Sequence, residues 1–499
     1  MPVNKEMLIT SDRHEARVAI LEDSKLMEIY IQPLKKKSIV GNIYLGTVQD
    51  ILPGIEAAFV DIGLEKNAFL YREEAALIED EAPLPKIEYI LKRKQDILVQ
   101  VLKEPLGTKG ARVTTHLAIP GRYLVILPYD KDTLGISRKL PDEERERLKE
   151  IAEKLKPRHA GLIVRTAAEG EKFDDLKKDL NQLKKVWAGL SRRIRRARPV
   201  SLVYEEPPLE LKAVRDWFSE DFGKLIIDDR QRYHRIVNFL RKHSPKLVSK
   251  VSYYDKLYPL FEKYEINKEI KKALKRRVWL KSGGYIAIDH TEALTAIDVN
   301  TGKFIGKKSL RHTILRTNLE AAKEIVRQIR LRDIGGIIVI DFIDMADLKD
   351  RDELFDLFNK ELAADRIKSR VIEISKIGLI EMTRKSTTEN LIKAMGKACP
   401  TCIGTGLIMS EKTLAIAAER EMRREAKIRP SKAFLFKAHP GIVANFRGEI
   451  INNLRSDTGK AVFIVSDPAV ESETPVLLNE GSYRRIEDEF EKYEHEAKI

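Results

Sequence analysis

Cysteine is almost absent from this sequence: the 499 residues include only Cys399 and Cys402. Two cysteines three positions apart cannot link separate domains, so a disulfide framework is excluded. No apolar run reaches the roughly 18 residues that cross a bilayer, and Met1 to Arg13 lacks the apolar stretch of a signal peptide. We therefore expect a cytoplasmic protein without a membrane span.

Acidic residues are the minority among the charges, with 77 Asp and Glu against 91 Lys and Arg, a net charge of +14. This excess favours a polyanionic partner, and RNA, DNA and an anionic membrane surface all remain open on charge alone. At roughly 150 residues per domain, the length predicts about three or more domains.

The first two hundred residues change pattern twice. Residues 15–31 predict a hairpin, and short glycine-punctuated β segments from 41 to 115 predict a small barrel of the oligonucleotide-binding type. Residues 116–210 mix strands with charged helices, predicted at 142–155 and 174–187. The arginine-rich run 191–198 is either a solvated helix face or a phosphate-contacting patch.

An α/β layer pattern occupies residues 275–395. Gly283 and Gly284 open a predicted hairpin with strands at 285–289 and 293–299. Thr317 to Glu320 has the pattern of a capping box, which predicts that a helix begins there. Ile337 to Phe342 predicts a strand buried on both faces, followed by an amphipathic helix. Beyond residue 411 we expect a smaller α+β tail with a strand at 461–465.

Two aspartates stand at the ends of predicted strands, Asp298 and Asp341. Ligand sites in α/β sheets gather at the carboxyl ends of strands, and two carboxylates suit Mg²⁺, which could serve phosphodiester hydrolysis. The alternative is that each aspartate caps a turn or pairs with an arginine. We interpret Asp344 as a helix cap rather than a further group of the site.

The two cysteines form a CxxC knuckle followed by Gly404 and Gly406. Structural zinc takes four ligands, whereas this segment offers two thiolates and no nearby histidine, so a zinc ion would be shared between two chains. The rival is a redox pair, which normally opens a helix, and the glycines argue against a helix here. Shared zinc predicts a dimer linked through metal.

Taken together, these motifs resemble the RNase E/G family over nearly the whole chain. They comprise Lys281-Ser-Gly-Gly-Tyr, Asp289-His-Thr-Glu-Ala, Ile297-Asp-Val-Asn-Thr-Gly302, Thr317-Asn-Leu-Glu-Ala-Ala322, Arg330-Leu-Arg-Asp-Ile-Gly-Gly336, Ile340-Asp-Phe-Ile-Asp-Met345 and Cys399-Pro-Thr-Cys. Because the sequence ends soon after this core without a long disordered tail, we expect it to resemble the shorter RNase G branch.

The resemblance implies a multidomain α/β fold with the following parts. They are an RNase H-like subdomain (1–34 and 211–273), an S1 barrel of OB fold (35–115), a 5′-phosphate sensor (116–210), a DNase I-like catalytic domain (274–395), a zinc-link (396–410) and a small C-terminal α+β domain (411–499).

It also implies roles for particular residues. Asp298 and Asp341 match the family's ligands of catalytic Mg²⁺, and Asn300 matches the asparagine that orients the scissile phosphate. The RNA clamp of the S1 barrel corresponds to Phe59, Phe69 and Lys109. Without the resemblance, we would place the two phenylalanines in the barrel core.

The 5′-phosphate sensor of the family corresponds to Arg165 and Thr166 as phosphate ligands, with Gly121 and Val125 lining the pocket through their backbones. Where the RNase E branch has an arginine near this sensor, the chain has Lys368, which offers a point charge instead of a two-pronged fork. Lys368 is therefore the one departure from the pattern.

The function implied is a Mg²⁺-dependent endoribonuclease that cuts single-stranded RNA and is stimulated by a 5′-monophosphate, leaving 3′-hydroxyl and 5′-phosphate ends. Expected partners are rRNA precursors, mRNA and a second copy of the chain joined through shared Zn²⁺, with tetramers as a further option. The alternatives are a non-catalytic S1-domain RNA-binding or assembly factor and a DNA-directed nuclease.

Overall fold

The computed structural model describes most of the chain. The described residues are 3–35, 38–75, 84–105, 109–302, 310–375, 378–385, 390–397, 399–402, 404–445, 448–470 and 475–496. The chain divides into two compact units, Met1–Met395 and Gly396–Ile499. Within the described residues, no helix is long and apolar enough to span a membrane.

The strands of the first unit are β1 Lys5–Ser11, β2 Glu15–Glu22, β3 Lys25–Pro33, β4 Ile43–Leu52, β5 Ala57–Asp61, β6 Ala68–Tyr71, β7 Asp96–Lys103, β8 Arg112–Thr114, β9 Ile119–Pro120, β10 Leu124–Leu127, β11 Leu134–Ile136, β12 Gly161–Val164, β13 Ser201–Tyr204, β14 Phe222–Ile227, β15 Val251–Tyr253, β16 Arg277–Trp279, β17 Tyr285–His290, β18 Leu294–Asn300, β19 Gly336–Asp341, β20 Ser369–Ile374 and β21 Ile380–Arg384. Its helices are α1 Arg72–Ala75, α2 Ile87–Ile90, α3 Asp142–Leu155, α4 Phe173–Ile194, α5 Leu209–Asp216, α6 Arg230–His243, α7 Leu260–Lys263, α8 Ile266–Ala273, α9 Leu310–Leu331, α10 Leu348–Leu362 and α11 Leu391–Met395.

Two distant parts of the chain share the first sheet, whose strand order is β15-β14-β1-β2-β3. The predicted hairpin is confirmed as β2 and β3, which turn through Asp23 and Ser24, both with positive φ. The strand β14, from residues 222–227, pairs parallel to β1. This sheet is therefore completed only when the segment after residue 210 returns to the N-terminus.

The predicted barrel is confirmed. Strands β4, β5, β6, β8 and β7 pair in that order and close through β4 and β7, which is consistent with an S1-like fold. Alternate residues such as Val60 and Leu70 are fully buried inside it. Gly46 is required because a Cβ there would lie 2.7 Å from the carbonyl oxygen of Asp61.

A four-stranded sheet, β11-β12-β10-β9, follows the barrel and packs against α3 and α4. The predicted helix at 142–155 agrees with α3. The prediction that the next helix ends near Trp187 was wrong, because α4 continues to Ile194 and includes the first half of the arginine-rich run. Leu183 and Leu190 extend its buried side, which explains the longer helix.

The last sheet of the first unit has the order β16-β17-β18-β19-β21-β20. Helices α9 and α10 bury one face, where Ile297, Ile338 and Ile340 lie in the core. The prediction that 337–342 is buried on both faces was wrong, because Ile337 is 49% exposed on the other side. No helix covers that second face in the described residues, so it is open to solvent.

Thr317 to Glu320 does not begin a helix, contrary to our prediction, because it lies inside α9. The Thr317 hydroxyl donates to the Thr313 carbonyl within the helix, and Asn318 and Glu320 make tertiary contacts. The buried Asn318 amide donates to the carbonyl of Ile343 and accepts from its backbone N–H, at 2.7 and 3.1 Å. The Glu320 carboxylate accepts from the backbone amides of Lys281 and Ser282. The motif therefore fixes two loops at the same end of the sheet, the end at which Asp298 and Asp341 lie.

The second unit has strands β22 Ala433–Ala438, β23 Ala461–Ser466 and β24 Val476–Gly481, and helices α12 Glu411–Ile428, α13 Pro440–Val443, α14 Gly448–Thr458 and α15 Tyr483–Glu496. The sheet order is β23-β22-β24, and the predicted strand at 461–465 is confirmed as β23. Phe434 and Phe436 are buried in its core against α12.

Candidate active site

Asp298 and Asp341 lie side by side on the open face of the six-stranded sheet. Strands β18 and β19 are parallel, and their register pairs Asp298 directly with Asp341. Neighbouring strands run about 4.8 Å apart and directly paired residues point to the same face, so one small ion can reach both carboxylates. Both side chains are exposed. The structure thus brings together two residues that are 43 positions apart in the sequence.

Asn300 joins this pair through a direct hydrogen bond. It lies two residues after Asp298 on the same face, and its Nδ2 donates to Asp298 Oδ2 at 2.5 Å. The turn that follows is held by Gly302, with a φ of +59°, where a Cβ would lie 2.6 Å from the carbonyl oxygen of Gly283. The amide therefore fixes one carboxylate oxygen of Asp298.

Asp344 is a third carboxylate near the pair, which the sequence analysis considered but interpreted as a helix cap. The helix cap that we assigned to Asp344 is provided by Asp347, whose side chain accepts from the backbone N–H of Lys349 at the start of α10. Partial burial and the charges of Asp298 and Asp344 raise the pKa of the Asp341 carboxyl. The available signal was its position three residues after Asp341.

The donor set suits Mg²⁺ better than a softer metal. Two carboxylates and an amide offer only oxygen ligands, and Mg²⁺ binds through one or two carboxylates while it keeps several waters. Among the described residues, no group of three or more histidine, cysteine, aspartate or glutamate side chains is arranged to hold a metal ion. Mutual repulsion of Asp298 and Asp341 is the feature that a divalent cation would relieve.

A second candidate surface lies on the outside of the barrel. Phe59 and Phe69 face each other across β5 and β6, with ring centroids 5.6 Å apart, and both are half-buried. The alternative that they fill the barrel core was wrong, because their neighbours Val60 and Leu70 occupy it. Phe69 also contacts Tyr71, 4.6 Å away, which sequence analysis missed.

Lys109 is exposed, and its neighbours in sequence fix where its backbone lies. At the next residue, Gly110, a Cβ would lie 1.9 Å from the carbonyl oxygen of Asn67, so only glycine allows this approach. Asn67 immediately precedes β6, and the Phe69 backbone N–H donates to the carbonyl of Ala111 at 2.7 Å. The backbone of Lys109 is therefore held beside the strand that carries Phe69.

Arg165 and Gly121 are in direct contact in the four-stranded sheet. An Nη1 of Arg165 donates to the Gly121 carbonyl at 2.6 Å and pairs with Asp216 at 2.7 Å. Gly121 must lack a side chain because a Cβ would meet the buried carboxylate of Asp179 at 2.5 Å. Val125 lies on β10, paired with Pro120 and Ile163. Asp216, which aligns the guanidinium, was not found by sequence reasoning.

Thr166 lies beside Arg165 and is exposed, with its Oγ1 2.7 Å from the hydroxyl of Ser137. Lys139, two residues after Ser137, donates from Nζ to the carbonyls of Asp365 and Arg366, at 2.9 and 2.8 Å. Lys368 follows closely in sequence and is exposed. Lys139 therefore brings the segment that contains Lys368 to the same side of the molecule as Thr166.

The cysteine knuckle of the second unit adopts turns rather than a helix. Hydrogen bonds from the backbones of Cys402 and Thr401 lower the pKa of the Cys399 thiol to about 7. Cys399 is exposed, and its partially ionised sulfur is the form that binds metals. The absence of a helix removes the usual setting of a redox CxxC.

Comparison with known proteins gives matches along most of the chain. A sequence model of the Ribonuclease E/G family matches residues 118–387. Ribonuclease G of Escherichia coli strain K12 is 38% identical over 480 residues, covering 94% of this chain and 98% of that protein. Ribonuclease G of Haemophilus influenzae is 39% identical, covering 88% and 91%. Ribonuclease E of a Nostoc strain is 36% identical, covering 84% of this chain but 60% of that protein. The coverage favours the shorter branch.

We predict that Asp341→Asn raises the melting temperature at pH 7 in metal-free buffer by no more than about 2 °C, since solvent screens the repulsion. A carboxyl whose pKa is raised by folding destabilises the fold when ionised, so the gain should vanish below the ordinary carboxyl range near about pH 4. Calorimetry across pH measures it, with Asp352→Asn, an exposed aspartate of α10, as control. A lower melting temperature at pH 7 would contradict the repulsion.

Proposed function

The chain belongs to the ribonuclease E/G family, in its RNase G-like branch, and is an endoribonuclease; we propose that it hydrolyses single-stranded RNA with a Mg²⁺ ion held by Asp298 and Asp341. The observation that carries this proposal is the parallel register that pairs the two aspartates on an uncovered sheet face. A flexible polymer can reach an open face, whereas it could not reach a pair enclosed by helices.

The residues of this site can divide the chemistry among them. A Mg²⁺ ion held by these residues would supply Lewis-acid polarisation of the scissile phosphate and would make water a better nucleophile. Asp298 and Asp341 would fix the ion's position, and the Asn300 amide keeps Asp298 oriented while its oxygen faces the phosphate or its waters. We expect 3′-hydroxyl and 5′-phosphate products, with rRNA precursors and mRNA as substrates.

We assign the barrel at 35–115 as an S1 domain that holds the single-stranded RNA. Base stacking on Phe59 and Phe69 would contribute about 1–3 kcal/mol per base and tolerate any sequence, because every base has an aromatic face. The exposed ammonium of Lys109 would contact phosphate beside them. From the family resemblance we also assign 1–34 and 211–273 as an RNase H-like subdomain and 274–395 as the DNase I-like catalytic domain.

For the 5′ end, we assign residues 116–210 as a sensor of a terminal monophosphate. Arg165 is held by Asp216 and Gly121, so its guanidinium is oriented before any ligand arrives. The Thr166 hydroxyl adds a donor, and Lys139 and Lys368 add positive charge nearby. Gly121 and Val125 would line the pocket through their backbones.

For assembly, we assign 396–410 as a zinc-link in which Cys399 and Cys402 provide two of four ligands and a second chain provides the others. The lowered pKa of Cys399 supports thiolate ligation. The result would be a homodimer, and pairs of dimers would give tetramers.

We predict that Asp298→Asn reduces cleavage of a 5′-monophosphorylated single-stranded oligonucleotide by at least about a hundredfold, because a metal centre supplies several kcal/mol of transition-state stabilisation. RNA binding, measured by fluorescence anisotropy, should stay within about twofold. Glu292→Gln, in the exposed β17–β18 turn, is the control and should cleave normally.

Other outcomes separate the alternatives. If the unaltered protein binds RNA tightly but does not cut it with Mg²⁺ present, the non-catalytic RNA-binding factor is the better description. Equal rates on the deoxy strand would instead identify a DNA-directed nuclease.

We predict that Thr166→Val and Arg165→Lys lower the ratio of cleavage rates for 5′-phosphate over 5′-hydroxyl substrate, by about five- to tenfold for Arg165→Lys, which loses a bidentate donor. Rates on the 5′-hydroxyl substrate should not change. Arg158→Ala, an exposed arginine before β12, should keep the ratio. An unchanged ratio in both variants would refute the sensor.

We predict that Cys402→Ser lowers the oligomeric state, measured by size-exclusion chromatography with light scattering, and removes about one zinc ion per two chains in elemental analysis. Thr401→Ser keeps the hydroxyl beside Cys399 and serves as control. An unchanged assembly that contains no zinc would remove the shared-ion proposal.

A further inference from the structure

An exposed tryptophan lies in line with the candidate active site. On the open sheet face, Trp279 pairs across β16 and β17 with Tyr285, and Tyr285 pairs across β17 and β18 with Asn300. At about 4.8 Å between strands, Tyr285 is one strand and Trp279 two strands, or about 10 Å, from Asn300. The three side chains form one row across the sheet, adjacent to the row that contains Asp298 and Asp341.

Trp279 is 65% exposed, although a buried tryptophan would contribute far more to stability. The other two tryptophans are half-buried and pack against tyrosines: Trp217 stacks on Tyr30 at 4.1 Å, and Trp187 contacts Tyr129 at 5.5 Å. Trp279 contacts Tyr285 at 5.3 Å with the planes inclined by 57°, which leaves much of the indole in solvent.

A positive charge accompanies these rings. The guanidinium of Arg277 lies 5.2 Å from the centroid of the Tyr285 ring. Its neighbour Arg276 is held by Asp289 through two contacts of 2.5 and 2.6 Å. In the described part of the chain, by contrast, no carboxylate forms an ion pair with Arg277, so its charge is available to an anion. An exposed aromatic pair beside an unpaired arginine is the combination that binds single-stranded nucleic acid.

We propose that Trp279 and Tyr285 form a stacking platform for a base of the RNA strand, with Arg277 on an adjacent phosphate, next to the phosphate that is cut. The proposal deepens the nuclease function and rests on it. Only an unpaired base has a free face to stack, so the platform would also select single strands over duplexes. Trp279 and Tyr285 are positioning residues and take no part in bond breaking.

The test compares Trp279→Ala and Trp279→Phe with the unaltered protein, and Tyr258→Ala, at an exposed tyrosine elsewhere, is the control. We expect Trp279→Ala to raise KM by about five- to a hundredfold while kcat changes little, and Trp279→Phe to restore most of the loss, because a benzene ring still stacks. An abasic substitution at one position of the RNA should reproduce the defect, and the two changes should not add. A structural role would not depend on the base.

Binding is measured separately in the Asp298→Asn background, where cleavage does not interfere. Oligonucleotide addition should quench tryptophan fluorescence, and the quenching should disappear when Trp279→Phe is added. An unchanged KM in Trp279→Ala, or a lower oligomeric state in light scattering, would overturn the platform, the latter because Trp279 would then contact a second copy of the chain. If the unaltered protein cuts no RNA, the nuclease proposal fails on its own, while the quenching experiment still decides whether Trp279 contacts bases.

Discussion

The parallel pairing of β18 with β19 is the constraint on which the site depends. A slip of one residue would turn Asp341 into the core and bring Phe342 beside Asp298, since successive side chains of a strand point to opposite faces. A parallel pair needs a crossover, and here the crossover includes α9, which covers one face only. The same connection that brings the two carboxylates together therefore leaves their face open to a polymer.

Buried ion pairs connect helix α9, which packs on this six-stranded sheet, with the first sheet of the chain. Arg330, near the end of α9, pairs with Glu22 and Glu28 of the first sheet at 2.7 and 2.8 Å. Burial alone would raise the pKa of the Glu28 carboxyl, but the charges of Arg366 and Arg330 lower it, so the pair stays ionised. Within the six-stranded sheet, Arg384 of β21 forms an ion pair with Asp365 at 2.7 Å. Because Lys139 donates to the carbonyl of that same Asp365, a continuous set of contacts connects the candidate sensor with the catalytic sheet.

The two candidate RNA-binding surfaces are built in the same way, from aromatic side chains that point outward from β-strands. Phe59 and Phe69 on the barrel and Trp279 and Tyr285 on the sheet all come from outward positions of strands whose alternate residues form the cores. Outward aromatics in a strand keep the high β propensity that the sheet needs while offering flat apolar surface to a partner. A ligand with repeated flat rings and a negative backbone matches both surfaces, in a chain whose net charge is +14.

The sequence by itself determined the strand and helix content around the site, because hydrophobic periodicity and glycine turns are local signals. The hairpins at 15–31 and 285–300 and the barrel were predictable for that reason. It also singled out Asp298 and Asp341, since an acid at the end of an apolar run is costly and therefore conspicuous. Only the tertiary structure decided what covers each face: a continuous apolar run such as 337–340 is equally compatible with one or two buried faces. It also decided the use of polar groups inside helices, as in Asn318, and the pairing of Asp216 with Arg165, because these depend on partners far away in the chain. The exposure of Trp279 beside its near neighbour Tyr285 was likewise decided by which face of the sheet is covered.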